Sequence, residues 1–393
     1  MRVLVTFAGG YGHFVPLIPV ARAAVAAGHT VAVAGRPAQV GSIRAAGVDA
    51  IATGDPALDP SPERRPLRPI DPDEEDRVLR DGFAGVVARD RAGALLALAG
   101  RWSPDLVVCD EADFGAMVAA ERLGLAHASV VSMPAGTFVR PGLLAEPLAR
   151  LRAEHGLAPD PSLEMLHRHL VLVPAPPSFR DPSAPLPATA RSIRPTSPDP
   201  APAAARPPGD GHRPLVYVSL GTAFNVESGD LFARVIAGVR DLPLDVLVTV
   251  GNEIDPAELG SQPANVVIER FVPQWTVLSE CDLVVSHGGS GGVIGALAHG
   301  LPLVVLPLGA DQPHNAARVE TLGVGRVLDA VTARPAEVRA AVEQVLADPA
   351  ARGAAERLRD ECAALPPPAE AVAWLEALTS GWDGVERAIQ RRC

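Results

Sequence analysis

Short runs of apolar, β-branched residues recur along the chain, and most are followed by a turn and a helical stretch. Such runs are typical of strands buried on both faces of a parallel sheet. They predict strands over 2–7, 30–34, 104–110, 128–131, 215–219, 245–250, 266–269, 283–285 and 303–306. The intervening periodicity predicts helices over 15–27, 39–46, 81–100, 112–123, 230–239 and 293–299. Alternating strands and helices predict an α/β protein with doubly wound parallel sheets.

The composition changes between residues 174 and 214, where Pro, Ala, Ser and Arg dominate without periodicity. Its Pro/Ala-rich end is typical of a linker. We therefore predict an N-terminal domain over 1–198, a linker over 199–213 and a C-terminal domain over 214–368. Residues 369–393 are predicted to be a helical segment broken near Gly381, with docking back on the N-terminal domain as one expectation. Two similar halves joined by a linker imply a ligand in the cleft between them.

Composition and charge exclude several classes of protein. The 393 residues are 48% hydrophobic and 21% charged, which indicates a globular chain long enough for two cores. A net charge of −11, without a basic tract, argues against a nucleic-acid partner. The cysteines are too far apart to predict a disulfide framework or a zinc site. Neither a leader-like segment nor a run of membrane-spanning length is found, so we expect a cytoplasmic protein.

The most distinctive stretch follows the predicted strand at 283–285. It runs His287-Gly-Gly-Ser290-Gly-Gly292 and leads into a small-residue helix. At such a turn, free N–H groups and the positive end of the helix dipole face an anion, and His287 and Ser290 add side-chain donors. A tight turn that binds nothing is the alternative. Four glycines interleaved with His and Ser exceed what a turn requires, which favours a phosphate site.

The first strand also ends in a glycine-rich turn, but this turn does not fit a dinucleotide-binding pattern. A G-x-G-x-x-G motif starting at Gly10 would need a third glycine where Val15 stands, and the second strand is followed by Arg36 instead of an acidic residue. A dehydrogenase is therefore disfavoured. His13 lies instead at the carboxyl end of the first strand, where open α/β sheets bind ligands. A capping or buried structural histidine is the alternative.

A general base at His13 would need a carboxylate on its other ring nitrogen. Asp110 ends another predicted strand at the same edge of the sheet, and Asp113 is a less well placed substitute. The acidic run 71–76 could suggest a metal site, but a solvated helix start explains it better, because acids favour a helix N-terminus. We therefore expect no metal. Residues 132–168 mix apolar side chains with prolines, which suits the wall of an apolar pocket or, equally, an ordinary core.

Several motifs occur together in the order and spacing of glycosyltransferase family 1. They are Gly9-Gly-Tyr-Gly-His13, Phe271-Val-Pro-Gln274, His287-Gly-Gly-Ser-Gly and Asp311-Gln-Pro-His-Asn315. The chain resembles this family, and within it the bacterial enzymes that decorate polyketides and macrolides. The resemblance implies the GT-B fold, with two facing Rossmann-like domains. It also implies sugar transfer from a nucleotide-sugar to a hydrophobic acceptor, with inversion, without a metal and without a cofactor.

The resemblance also implies roles for individual residues. His13 would deprotonate the acceptor hydroxyl, and Asp110 would orient it and stabilise the imidazolium. Asp311 and Gln312 would bind the sugar hydroxyls. Phe271 would stack on the nucleotide base, and the backbone around Val272 would read its edge. The full set implied for the nucleotide and its diphosphate is Ser219, Gly221, Thr222, Phe271, Val272, Gln274, His287, Gly288, Gly289, Ser290 and Gly291.

One departure from the family bears on the donor. Many members that use UDP-sugars carry a Glu that binds both ribose hydroxyls, and this position is Gly295 here. Because a deoxyribose lacks the 2′-hydroxyl, the loss favours a dTDP-deoxysugar over UDP-glucose.

Two other functions stay open at this point. One is a GT-B nucleotide-sugar epimerase, which needs an acid and a base around the sugar ring but no acceptor pocket. The other is a non-catalytic auxiliary or binding protein, against which the presence of both His13 and Asp110 argues. The acceptor, the sugar, the type of glycosidic bond (O-glycosidic by default) and any helper protein are left open. So is the oligomeric state, with a homodimer among the options.

Overall fold

The computed structural model describes residues 1–59, 63–198, 213–222 and 224–390, and for 381–390 it describes the backbone alone. Nearly all of the predicted linker over 199–213 therefore lies outside the described residues, as does the end of the predicted C-terminal segment, 391–393. Within the described part of the chain, no helix is both long enough and apolar enough to cross a bilayer.

The first domain is built on a parallel sheet of seven strands. The strands are β1 (Arg2–Thr6), β2 (Thr30–Gly35), β3 (Asp49–Ala52), β4 (Leu106–Asp110), β5 (His127–Val130), β6 (Leu170–Val173) and β7 (Ala190–Ser192). Their order in the sheet is β3-β2-β1-β4-β5-β6-β7, and every pair is parallel. The direction of winding therefore reverses between β1 and β4. Ligands bind at such a switch point, beyond the carboxyl ends of the strands.

The second domain repeats this plan with six parallel strands. They are β8 (Leu215–Ser219), β9 (Asp245–Thr249), β10 (Val266–Glu269), β11 (Leu283–Ser286), β12 (Leu303–Val305) and β13 (Gly325–Val327). Their order is β10-β9-β8-β11-β12-β13, so the switch point lies between β8 and β11. The glycine-rich turn that contains His287 begins directly after β11, at this point.

Helices cover both faces of each sheet. In the first domain they are α1 (Tyr11–Phe14), α2 (Ile18–Ala26), α3 (Val40–Ala45), α4 (Pro72–Arg77), α5 (Ala88–Trp102), α6 (Phe114–Arg122) and α7 (Pro141–Glu154). The second contains α8 (Leu231–Val239), α9 (Gln274–Leu278), α10 (Ser290–Ala298), α11 (Gln312–Thr321), α12 (Pro335–Leu346) and α13 (Pro349–Ala364). A last helix, α14 (Pro368–Gln390), follows the second domain. A π-helical stretch, Val78–Val87, joins α4 to α5.

Apolar clusters flank both sheets, and one of them crosses between the domains. It joins Val173 and Phe179 of the first domain to β8, β11 and α10 of the second. The guanidinium of Arg318 donates to the carbonyl oxygens of Phe179 (2.9 Å) and Ser178 (3.0 Å) beside this contact. In the first domain, Ala371 and Leu375 of α14 are buried in the cluster that contains α2. The C-terminal helix thus packs on the N-terminal domain.

The structure corrects several expectations about these elements. The strands β3, β6, β7 and β13 were not predicted, because they are short and β7 and β13 lack an apolar run. The helix α14 continues through Gly381, since a single glycine costs a helix only about 1 kcal/mol. Of the apolar residues in 132–168, Met133, Phe138 and Met165 are buried in a core cluster, which agrees with the second of the two expectations for this region.

Candidate active site

His13 and Asp110 meet at the switch point of the first sheet. Asp110 is the last residue of β4, and His13 lies in α1, directly after the turn that follows β1. Helical structure was predicted only from residue 15, but it begins at Tyr11, so His13 is held in a helical turn. The Nδ1 atom of His13 lies 2.5 Å from Oδ2 of Asp110. The carboxylate is fully buried, whereas the imidazole is 22% exposed and can meet a ligand.

The surroundings of His13 make it a stronger base. Burial lowers the pKa of His13, but the charge of Asp110 and its hydrogen bond raise it, with further contributions from Asp311 and Glu111. The balance is a pKa above the usual histidine value. Phe83, on the π-helical stretch, stacks on the imidazole with ring centroids 5.4 Å apart. The ring orientation is thus set from two sides.

The structure assigns Asp113 to a different task. Its carboxylate accepts hydrogen bonds from Thr6 Oγ1 (2.7 Å) and from the backbone N–H of Ala116 (3.1 Å), which caps α6. It also pairs with the buried guanidinium of Arg91 at 3.4 Å. Asp110, and not Asp113, is therefore the carboxylate partner of His13.

The glycine-rich turn of the second domain forms the N-terminus of α10. This helix was predicted to start at residue 293, but it begins at Ser290, with Gly289 as its N-cap. The early start places the hydroxyl of Ser290 and the first-turn N–H groups of Gly291 and Gly292 at the positive end of the helix. Unsatisfied N–H groups in this position are donors for an anion such as a diphosphate.

The imidazole of His287 packs closely against the backbone of two glycines, Gly221 and Gly289. A Cβ atom at Gly221 would lie 2.6 Å from the imidazole, and one at Gly289 would lie 2.5 Å from it. Burial lowers the pKa of His287 to about 4, so the ring is neutral at pH 7. Its Nδ1 atom is buried without a hydrogen-bond partner in the described part of the chain. The other ring nitrogen donates to the carbonyl of Ser219, so Nδ1 of the neutral ring is an acceptor for a ligand hydroxyl and not the donor that the sequence predicted.

Asp311 is bound to the glycine-rich turn through side chains. Its Oδ2 atom accepts hydrogen bonds from the hydroxyl of Ser290 (2.5 Å) and from Nδ2 of Asn315 (2.8 Å). Asn315 also donates to the carbonyl of Gly288 at 2.9 Å. The sequence placed Asn315 in a motif without giving it a task. In the fold it joins the turn to the carboxylate that is expected to bind sugar.

Gln312 is less available than the sequence implied. Its side chain is buried, and its carbonyl oxygen accepts from the backbone N–H groups of Leu308 (2.7 Å) and Gly309 (3.3 Å). The residue therefore holds the loop before Asp311.

The residues expected to hold the nucleotide lie around the same edge of the second sheet. Phe271 follows β10 and is 53% exposed, which is unusual for a large aromatic side chain and leaves a ring face free for stacking. Val272 is half-buried, Ser219 is the last residue of β8, and Thr222 lies in the turn that follows this strand. Gln274 begins α9, and its Nε2 atom lies 3.4 Å from the carbonyl of Gly291.

The two halves of the site approach each other between the domains. Asp311 of the second domain is close enough to raise the pKa of His13 in the first. Near it, the hydroxyl of Thr137 lies 2.7 Å from Nδ1 of His314. The candidate base and the candidate phosphate and sugar residues therefore face a common cleft. A separate cavity of about 250 Å³, lined by Thr53, Arg101 and their neighbours, contains none of these residues.

Known proteins are similar to this chain in sequence and in architecture. Residues 233–378 match the family described as erythromycin biosynthesis protein CIII-like, C-terminal domain. The 4′-demethylrebeccamycin synthase of Lentzea aerocolonigenes is 31% identical, over 96% of this chain and 99% of its own. The chain belongs to the bacterial natural-product glycosyltransferases. A second relative, the 10-deoxymethynolide desosaminyltransferase of Streptomyces venezuelae, is 30% identical over 97% of both chains.

Solved structures agree with this assignment. The glycosyltransferase SnogD from Streptomyces nogalater superposes with a TM-score of 0.76 at 27% identity, covering 96% of this chain and 99% of its own. VinC, solved in complex with dTDP, gives 0.74 at 28% identity, covering 97% and 100%. The predicted GT-B fold is confirmed, and the protein is a glycosyltransferase.

Proposed function

We propose that this glycosyltransferase moves a sugar from a dTDP-deoxysugar to a hydroxyl group of a hydrophobic natural product, with inversion at the anomeric carbon. The observation that carries the proposal is the 2.5 Å contact between His13 Nδ1 and Asp110 Oδ2 at the interdomain cleft. A histidine held by a buried carboxylate resembles the base of a serine hydrolase, with the acceptor's hydroxyl taking the place of the serine.

In the proposed reaction, Nε2 of His13 takes the proton of the acceptor hydroxyl. The acceptor oxygen forms a bond to the anomeric carbon as the bond from that carbon to the diphosphate oxygen breaks. The nucleoside diphosphate leaves with the electron pair, and the imidazolium is stabilised by Asp110. Attack from the face opposite to the leaving group inverts the configuration.

The leaving group needs its growing negative charge to be met by donors already in place. The free N–H groups at the N-terminus of α10 are such donors, whereas the hydroxyl of Ser290 already donates to Asp311. The neutral imidazole of His287 gives its one N–H to the carbonyl of Ser219, so it adds no charge and instead supports the turn that faces the diphosphate. This set supports departure of the diphosphate without a metal ion, and the nucleotide-sugar is a substrate, so we propose no cofactor.

The proposed donor follows from the contact between Gly295 and Gln274. A Cβ atom at Gly295 would lie 2.6 Å from Nε2 of Gln274, so the amide occupies the space where a longer side chain would begin. An acidic side chain that accepts hydrogen bonds from two ribose hydroxyls would clash at this position unless Gln274 moves. Because a deoxyribose has no 2′-hydroxyl, it loses fewer hydrogen bonds than a ribose when this acidic side chain is absent. The bound dTDP of VinC supports the same choice.

Calorimetric titration with dTDP and UDP, each with and without Mg²⁺, tests the proposal. We expect dTDP to bind more tightly than UDP, with an affinity that Mg²⁺ does not change. A preference for UDP would overturn the donor assignment, and binding that requires Mg²⁺ would overturn the metal-free mechanism. If neither nucleotide binds, a non-catalytic auxiliary role becomes the better explanation. A glycoside product, as opposed to an isomerised donor, separates a transferase from an epimerase.

A further inference from the structure

A segment of the first domain crosses to the second domain beside the site. Residues 64–75, here called the crossing segment, lie between β3 and α5. At one end, Arg64 makes a two-pronged contact with the carboxylate of Glu258 at 2.6 and 2.8 Å. Leu67 then packs against the apolar core of the second domain. The crossing segment is thus attached to the second domain before its helical end reaches the cleft.

At the other end of the crossing segment, Glu75 bonds the loop that precedes Asp311. Its Oε1 atom accepts a hydrogen bond from the backbone N–H of Ala310 at 3.0 Å. Ala310 has a φ of +53°, in the left-handed region that an alanine rarely adopts. Such a residue persists only where its surroundings hold it. A Cβ atom at Gly309 would lie 2.8 Å from the same carboxylate oxygen, so the close approach needs glycine there.

Three consecutive backbone N–H groups of this loop donate hydrogen bonds, and their acceptors belong to two different domains. Those of Leu308 and Gly309 donate to Gln312, within the second domain. The third, that of Ala310, donates to Glu75 of the first domain. The next residue is Asp311, so the conformation of Ala310 decides where the chain delivers that carboxylate. One determinant of its position is therefore supplied across the cleft.

The charges around Glu75 show that its position is not explained by an ion pair. Burial raises the pKa of Glu75, and the nearby acids Glu74, Asp311 and Glu227 raise it further, while the hydrogen bond from Ala310 acts in the opposite direction. In the described part of the chain, no basic group is among the largest influences on this pKa. A carboxylate placed among other carboxylates gains nothing from their charges, so the backbone hydrogen bond is the favourable contact that accounts for its position.

We propose that Glu75 is a positioning residue for the transfer reaction: by bonding the N–H of Ala310, it holds the left-handed turn that aims Asp311 at the donor sugar. This inference rests on the proposed sugar-binding role of Asp311. Glu75 and the base His13 belong to the same domain, so docking of the domains and orientation of the sugar are coupled. A donor sugar is then fully held only when the acceptor domain is in place.

Three variants of the full-length protein test the link to the loop: Glu75→Ala, Glu75→Gln and, as the matched control, the exposed neighbour Glu74→Ala. Hydrogen–deuterium exchange of a peptide covering 308–312 is measured in each without ligand. We expect Glu75→Ala to speed exchange about three- to tenfold, the effect of losing one hydrogen bond. Glu75→Gln retains a carbonyl acceptor and should stay close to wild type, as should Glu74→Ala. Unchanged exchange in Glu75→Ala overturns the proposal.

The effect on the sugar is measured with dTDP and dTDP-glucose as probes. The ratio of their dissociation constants gives the contribution of the sugar to binding. We expect Glu75→Ala to lose most of this contribution while its affinity for dTDP is unchanged, and Glu75→Gln to retain it. General damage to the fold would weaken both ligands alike. A sugar contribution that is absent in the wild type, or unchanged in Glu75→Ala, overturns the proposal.

Asp311→Asn separates this inference from the function on which it rests. If Asp311→Asn leaves the sugar contribution unchanged, the proposed role of Asp311 is wrong and the role of Glu75 falls with it. If Asp311→Asn removes the contribution and Glu75→Ala does not, only the inference about Glu75 is wrong.

Discussion

The imidazole of His13 and the buried carboxylate of Asp110 lie 2.5 Å apart, so the charge on Asp110 acts directly on the pKa of His13. Within the described residues, the other contact of this carboxylate is a distant one, from the backbone N–H of Ala8 at 3.5 Å. Its charge is therefore directed mainly at His13. This arrangement suits a base that must accept a proton in the transition state and then be stabilised as a cation.

Replacing His13 should affect turnover and not nucleotide binding. We expect His13→Ala to lower kcat by a factor of about 10²–10⁴, because the proton acceptor is lost, with the dissociation constant of dTDP nearly unchanged. The exposed His167 offers a matched control, and His167→Ala should retain full activity. A loss of dTDP affinity in His13→Ala that equals the loss of turnover would contradict the assigned role.

The pH profile should report the same pair. The pKa of His13 is raised, and the base works only when neutral, so kcat/KM should rise with pH through a limb above pH 6.5. Asp110→Asn removes the charge that raises this pKa. The limb should then move to lower pH, while the plateau falls. A limb that stays at the same pH in Asp110→Asn would assign the titration to another group.

Among the larger elements, the two turns around His287 depend on glycine for space as well as for backbone conformation. Gly221 has a φ of +79° and lies against the imidazole, whereas Gly260 has a φ of +72° and no atom within 4 Å of its Cβ position. The pair therefore separates backbone strain from steric contact.

Gly221→Ala and Gly260→Ala should both destabilise the fold by about 1–3 kcal/mol, because each glycine has a positive φ that residues with a side chain rarely adopt. Only Gly221→Ala should also displace His287, and we expect it to weaken dTDP binding about tenfold, because the imidazole packs between the two turns that line the diphosphate site. Thermal unfolding and calorimetry measure the two effects separately. Equal losses of dTDP affinity in the two variants would remove His287 from the diphosphate site.

Prediction of elements succeeded where a local pattern is strong. The strands at 215–219 and 266–269 end where the sequence indicates, because an apolar run is bounded by turn residues. Short strands such as Ala190–Ser192 have no such pattern, since pairing with a neighbour supplies their stability. The helices at His13 and Ser290 begin earlier than predicted, because glycines near a helix start are poor helix formers and weaken the sequence signal.

At the scale of the whole molecule, both domains place their candidate residues at a switch point, and contacts between the domains bring the two edges together. Arg318, Thr137 and the crossing segment all contribute to this approach. The C-terminal helix packs back on the first domain, so the chain passes from one domain to the other more than once. The cleft is consequently defined by both halves of the chain.

Local patterns in the chain were enough to predict the α/β class, the glycine-rich turn after β11 and the sheet edges that carry His13, Asp110 and His287. Apolar periodicity and the conformational preference of glycine are properties of a few neighbouring residues, so they can be recognised from the sequence alone. The hydrogen bond between His13 and Asp110 and the one between Ala310 and Glu75 join residues that are 97 and 235 positions apart. Such contacts depend on how the strands are ordered and the domains docked, and only the tertiary structure decides them.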